Sequence, residues 1–170
     1  NYSDIYWVTK TNIIQTEAKT KLYRILQSDD IYEKINFITD YFVEDSRIKC
    51  QFKNYEPPEI FYKKNKEKII KELENKKIKI TPQNLNNYLY ENHHYCTTFF
   101  IDICAMVYTL TDSKIILDFS SGWGDRLIAA CGLNKKYIGI DPNGNNHGAY
   151  KNIIQTLNCN AKVYRSGAEY

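Results

Sequence analysis

Residues 114–143 read KIILDFSSGWGDRLIAACGLNKKYIGIDPN, and the order of their parts decides the fold. A short apolar run, Ile115, Ile116 and Leu117, is closed by Asp118. Residues 119–124 form a turn bearing two glycines, and residues 125–131, DRLIAAC, read as a helix. Gly132 is suited to end that helix because glycine tolerates positive φ. A second apolar run, residues 137–140, ends in Asp141. The pattern is that of a strand, a tight turn, a helix, a second strand and an acid. Parallel strands need a crossover such as this helix. The turn needs glycine where backbone passes close to a ligand. An acid after the second strand is placed to accept hydrogen bonds from ribose hydroxyls. Its distance from Asp118, 23 residues (118 to 141), is near the roughly 20 of such units.

The turn also says what the ligand is not. A dinucleotide fingerprint reads G-x-G-x-x-G, with a pyrophosphate on the helix N-terminus. Here the frame is Ser120-x-Gly122-x-Gly124 and the third glycine is absent. Asp125, at the helix start, would repel a pyrophosphate. A ligand with a cationic centre and no phosphate fits better, which puts a nicotinamide-dependent oxidoreductase at the bottom of the alternatives.

With these residues in view, the chain resembles the class I S-adenosylmethionine-dependent methyltransferases over residues 115–170. The string from Asp118 to Gly124 looks like their first motif, acid-x-G-x-G-x-G, with Ser120 in place of the first glycine. Serine fits there if it keeps a negative φ. Residues 137–141, YIGID, look like the second motif. The fuller string SGWGDRL, with a strand ending Asp-Pro-Asn, is similar to a narrower subset, nucleic-acid methylases of phages and large DNA viruses.

The resemblance implies a Rossmann-like sheet holding S-adenosyl-L-methionine through Asp118, Phe119, Ser120, Ser121, Gly122, Gly124, Asp125, Asp141, Pro142, Asn143 and Ala168. Asp141 would take both ribose hydroxyls. Asp118 would fix the turn or neighbour the ammonium of the methionine end. The backbone at Gly122 and Gly124 would approach the cofactor. Trp123 is expected to pack, and Arg126 to ion-pair with an acid or reach solvent. Glu169 is displaced from the position where the family commonly carries an acid near the adenine.

The composition bounds these readings. The chain has 170 residues and a formal net charge of +3, so no global polybasic character points to nucleic acid. Cys50, Cys96, Cys104, Cys131 and Cys159 are odd in number and contain no C-x-x-C, which argues against a disulfide framework or a zinc site and for a reducing, cytoplasmic compartment. No run of 18 apolar residues is present to suggest a membrane span.

Ahead of the central stretch the sequence is helical in character. An arm or strand is expected in residues 1–14 and a helix over residues 16–28. A second helix covers residues 29–44, with Asp29 and Asp30 favourably at its start. Residues 45–57 are irregular. A third helix, over residues 58–77, opens on Pro57 and Pro58, which cost nothing at a helix start. Glu56-Pro57-Pro58-Glu59 has the prolines of the amino-methyltransferase [D/N/S]-P-P-[Y/F/W] motif but the wrong flanks. Between Lys63 and Lys79 eight lysines face three glutamates, a surface that could meet phosphates but reads first as a solvated helix face with i,i+4 pairs. Thr81 and Pro82 supply an N-cap and a first helical position. His93 and His94 read as a loop before they read as metal ligands, since sequence neighbours point apart. A buried helix over residues 99–110, capped by Thr97 and Thr98, leads into the first strand. After Asp141 come a loop, a helix reaching Leu157, and a third strand over residues 161–164.

The expected architecture is therefore α/β: a helical N-terminal region, residues 1–95, and a Rossmann-like half-domain, residues 96–170. The expected activity is methyl transfer from S-adenosylmethionine to nucleic acid, with an amine of a DNA base favoured. RNA or cap methylation and a non-catalytic scaffold are the alternatives. No catalytic residue is identified, since in the family it normally follows a fourth strand. With three strands the first becomes an open apolar edge, and a missing C-terminal half or another chain is expected to complete the sheet.

Overall fold

The computed structural model describes residues 29–94 and 96–169; the expected arm over 1–14 and helix over 16–28 lie outside them. The fold is mixed α/β, with a small three-stranded parallel sheet. The elements are α1 (Asp29–Arg47), α2 (Pro58–Asn75), α3 (Pro82–Asn92), α4 (Ile101–Leu110), β1 (Ile115–Asp118), α5 (Asp125–Gly132), β2 (Lys136–Ile140), a 3-10 turn (Gly144–Asn146), α6 (His147–Thr156) and β3 (Ala161–Tyr164). Two compact units result. Described residues up to Val43 belong with Thr98 and those after it, whereas Glu44–Thr97 form the other. The dividing point at 97 is close to the one expected at 95, but most of α1 belongs with the sheet.

In the sheet unit the strands lie in the order β1-β2-β3, all parallel, with Asp118 opposite Gly139 and Gly139 opposite Val163. Stepping the same way twice through right-handed crossovers puts α5 and α6 on one face. That face holds the core, built from Ile116, Tyr137, Leu127, Ile128 and Ile153 with Ile101, Cys104 and Ala105 of α4 and Ile38 of α1. Among the described residues, the other face is bare at β1: Ile115 is 55% and Leu117 66% exposed. The open edge expected at β1 is there among the described residues, but only two of its three apolar residues are exposed, because Ile116 faces the core.

Three local expectations are corrected. Helix α4 starts at Ile101 behind Phe100, with no side-chain cap from Thr97 or Thr98. It is not buried all round either, since Val107 and Leu110 are exposed. Gly132 is the last residue of α5 rather than its cap, and the left-handed conformation that ends the turn falls on Asn134 (φ 54). Finally, Cys131 and Cys159 form a disulfide, with Cα atoms 5.1 Å apart, against the reading of cysteines without disulfides. The bond joins the end of α5 to the turn before β3, two places 28 residues apart in sequence. Cys50, Cys96 and Cys104 are free.

The second unit has its own core of Ile69, Leu73, Tyr88 and Leu89, where α2 and α3 pack together. Pro58 opens α2 as expected. Thr81 Oγ1 accepts the Asn84 N–H at 3.2 Å, and Pro82 takes the first position of α3. Tyr88 Oη donates to Glu72 Oε2 at 2.6 Å, tying the two helices across the unit. Among the described residues, no helix is long and apolar enough to cross a membrane.

Candidate functional site

The site forms where β1 and β2 end, because both strands run in the same direction and deliver their terminal acids side by side. Asp141 is buried at 6% exposure. Its Oδ2 accepts the Gly122 N–H at 2.8 Å and its Oδ1 the Asn143 N–H at 2.9 Å. The backbone is held as well. The Asp141 N–H reaches the Tyr164 carbonyl at 3.0 Å, and His147 Nε2 lies 2.9 Å from the Asp141 carbonyl. A carbonyl only accepts, so that imidazole nitrogen is the donor. With the Tyr150 hydroxyl also interacting with it, the carboxylate uses about three of the roughly four acceptor positions that an ionised carboxylate offers.

The glycine turn is fastened to the same acid. Gly122 has φ +59, and a Cβ on it would make ordinary van der Waals contact, at 3.8 Å, with Arg126 Nη2 and the Ser120 carbonyl, so a methyl group fits there without a clash. Its carbonyl accepts from Asn146 Nδ2 at 2.9 Å and from Tyr150 Oη at 2.5 Å. Asn146 Oδ1 is buried with no hydrogen-bond partner, an orphaned acceptor beside the turn. Burial, then the charge of Asp141, pushes the Tyr150 hydroxyl pKa up, which keeps it a donor. Gly124, at φ +95, is different: a Cβ there would sit 2.9 Å from Ile153 Cδ1. This glycine admits α6 against the turn and is buried, whereas the resemblance gave it a place against the cofactor. Ser120, in place of the family's first glycine, is not among the positive-φ residues, as its chemistry requires.

Asp118 does not face the crevice as a free charge. Its Oδ1 accepts the Ser120 N–H at 3.0 Å, and its Oδ2 accepts Arg126 Nε at 2.7 Å and Tyr137 Oη at 2.6 Å. Tyr137 also reaches Ser121 Oγ at 3.2 Å, and Arg126 donates to the Ser120 carbonyl. Burial drives the Tyr137 pKa up, with the Asp118 charge adding to it. For Arg126 burial pulls the pKa down, but the hydrogen bond and charge of Asp118 outweigh it and the net shift is upward. Asp118, Arg126 and Tyr137 therefore form a closed, partly buried brace under residues 119–121, and Arg126 pairs with an acid as its position suggested.

Asp125 is 3% exposed and looks the other way. Its Oδ1 accepts Thr39 Oγ1 at 2.5 Å and its Oδ2 the Phe99 N–H at 3.0 Å. It clasps α1 and the segment before α4 to the start of α5. Phe119, Pro142, Asn143 and Ala168 are exposed, after β1, β2 and β3, and Trp123 is half-buried. Sequence reasoning missed Tyr137, Asn146, Tyr150 and Thr39. A signal for Tyr137 existed: Ile116 pairs with Tyr137 and Asp118 with Gly139, so strand parity places Tyr137 on the Asp118 face.

Among the described residues, no group of three or more His, Cys, Asp and Glu side chains is placed to hold a metal ion. Compared with family models, curated proteins and solved structures, the chain matches none of them.

Proposed function

We propose that the crevice at the ends of β1 and β2 binds S-adenosylmethionine, and that the chain carries the Rossmann-like cofactor half of a class I methyltransferase. The acceptor is nucleic acid, with an exocyclic amine of a DNA base favoured over RNA. The observation that carries this reading is the carboxylate of Asp141, tied to the Gly122 N–H with acceptor capacity left over. A ribose hydroxyl suits the position left, as a charge-assisted hydrogen bond to the carboxylate. The orphaned oxygen of Asn146 beside the turn also suits a ligand rich in hydroxyl and amine donors.

The cofactor would supply an electrophilic methyl group on a sulfonium. The chain's residues hold and align it, the task that dominates such displacements. Asp141 holds the ribose, Gly122 gives backbone access, and the Asp118–Arg126–Tyr137 brace keeps the turn in place. Asp118 and Arg126 are positioning residues. A nucleic-acid acceptor suits a cytoplasmic site of action, whereas the Cys131–Cys159 disulfide does not favour a reducing compartment. The bare edge of β1 supports a further strand there, from a longer chain or a second one.

Calorimetric titration of the chain with S-adenosylmethionine and with its demethylated product tests the reading, beside Asp141→Ala. Saturable binding to the native chain that the variant loses is the expected result. A folded native chain that binds neither ligand at millimolar concentration would sink it.

A further inference from the structure

The crevice leaves the unit Glu44–Thr97 without a task, yet two motifs of the sequence, the histidine pair and the lysine run, meet in it. His93 stacks on Phe61 with ring centroids 4.1 Å apart and planes 9° apart. Its Nε2 donates to the Glu56 carbonyl at 2.8 Å. His94 lies against Tyr55, 3.8 Å between centroids, and near Phe52, at 6.3 Å and 22°. Phe52 and Tyr55 are bridged across a tight turn in which Lys53 is left-handed (φ 52). Lys53 Nζ stands 5.3 Å from the Phe52 ring centre. Tyr55 is 43% exposed, and His94 is exposed too. From α2, Lys64 reaches Glu56 and Lys63 reaches Glu59 in exposed pairs. The unit has 11 Lys and Arg against 8 Asp and Glu, which accounts for the whole +3 of the chain.

We propose that this turn-and-histidine surface is a stacking platform for single-stranded nucleic acid. Tyr55 and His94 take base faces, and Lys53, Lys63 and Lys64 take phosphates. Both rings belong to exposed residues, and Tyr55 stands edge-on to His93, 6.4 Å between centroids, which in turn stacks on Phe61. Every base has a π-face, so stacking of this kind is tolerant of sequence. Exposed lysine–glutamate pairs are held weakly, so a phosphate displaces the carboxylate at little cost. The platform favours single strands because a duplex keeps its base faces stacked inside. No arginine stands in this cluster to read base edges by bidentate hydrogen bonds, so the surface binds without selecting sequence. The inference deepens the nucleic-acid part of the proposed function and rests on it for its biological sense, but its test needs no cofactor.

The test is fluorescence anisotropy of a labelled oligothymidylate and of a duplex of equal length, against the full chain. The single strand is expected to bind more tightly, and more weakly as salt rises. Replacing Tyr55→Ala and His94→Ala together should lower single-strand affinity about tenfold or more. Tyr55→Phe with His94→Tyr keeps the rings and should keep the binding. Lys53→Gln should flatten the salt dependence while sparing the fold. Equal affinity for duplex and single strand, or an alanine pair that binds as the native chain does, overturns the platform. If cofactor titration succeeds while oligonucleotide binding fails, only this inference falls. The reverse result removes the cofactor reading and leaves the platform standing.

Discussion

Residue by residue, the two turn glycines separate by what a methyl group would strike. Gly124→Ala puts a Cβ into Ile153 and holds alanine at φ +95, so it should cost about 2 kcal/mol or more of stability, read from urea denaturation. Gly122→Ala meets its neighbours only at 3.8 Å, so its stability cost should stay near 1 kcal/mol, from the left-handed backbone alone. Its larger effect should be on the proposed binding of S-adenosylmethionine, measured by calorimetry. Equal stability losses would remove this distinction between packing and ligand access. Arg126→Ala leaves Asp118, 8% exposed, with a charge only Tyr137 and one backbone N–H oppose. A loss of about 2–3 kcal/mol is expected, below the range for fully buried pairs because the Arg126 side chain is 27% exposed. A loss under half a kcal/mol would mean that the brace is solvated and structurally idle. The glycines and Arg126 were legible in sequence because turn chemistry is local. Asp125 was not, because its partners, Thr39 and Phe99, are remote in sequence.

Two elements are tied by bonds that make their own predictions. Across α2 and α3, the hydrogen bond to Glu72, then burial, pushes the Tyr88 hydroxyl up to about 12. A phenol whose folded pKa lies above its unfolded value of 10.0 stabilises the fold fully below that value. The contribution is then lost as pH rises from 10 through about 12. Tyr88→Phe should cost about 1 kcal/mol at neutral pH, and its stability should depend less on pH across that window. If native and variant chains fall in parallel, the hydrogen bond is not the cause. Between α5 and β3, the Cys131–Cys159 bond closes a segment of 28 residues, worth about 3.6 kcal/mol in the chain-entropy account. Alkylation in denaturant without reductant should label Cys50, Cys96 and Cys104 alone, and all five cysteines after reduction. Five labels without reductant would show that the bond is not made. The odd count of cysteines hid this pair, since the contact depends on where α5 ends relative to α6 and not on cysteine spacing.

At the scale of the molecule, one property dominates: among the described residues, the sheet is covered on one face only. Ile115 and Leu117 on β1 and Val107 and Leu110 on α4 are all exposed, and β1 has an unpaired edge among the described residues. An edge of that kind pairs with other strands unless something covers it. The 170-residue chain by itself should therefore associate as concentration rises, seen by light scattering. Leu117→Lys, which charges the bare face without entering the core, should reduce the association. A chain that stays monomeric and melts in one sharp, cooperative transition would count against a missing strand.

The sequence by itself determined the elements of the central stretch: the runs ending at Asp118 and Asp141, the turn between them, and the third strand at 161–164. It likewise determined the Thr81–Pro82 start of α3. Each depends on side-chain periodicity or on hydrogen bonds to near neighbours in the chain. Only the tertiary structure decided what the three carboxylates do, with Asp141 bound to the backbone of the turn, Asp118 closed in a brace, and Asp125 turned away as a clasp. It alone decided which glycine tolerates a methyl group without a clash, that Cys131 meets Cys159, and that α4 has one wet side. These follow from partners brought together across the fold, and an acid carries no mark in sequence of the donor it will meet.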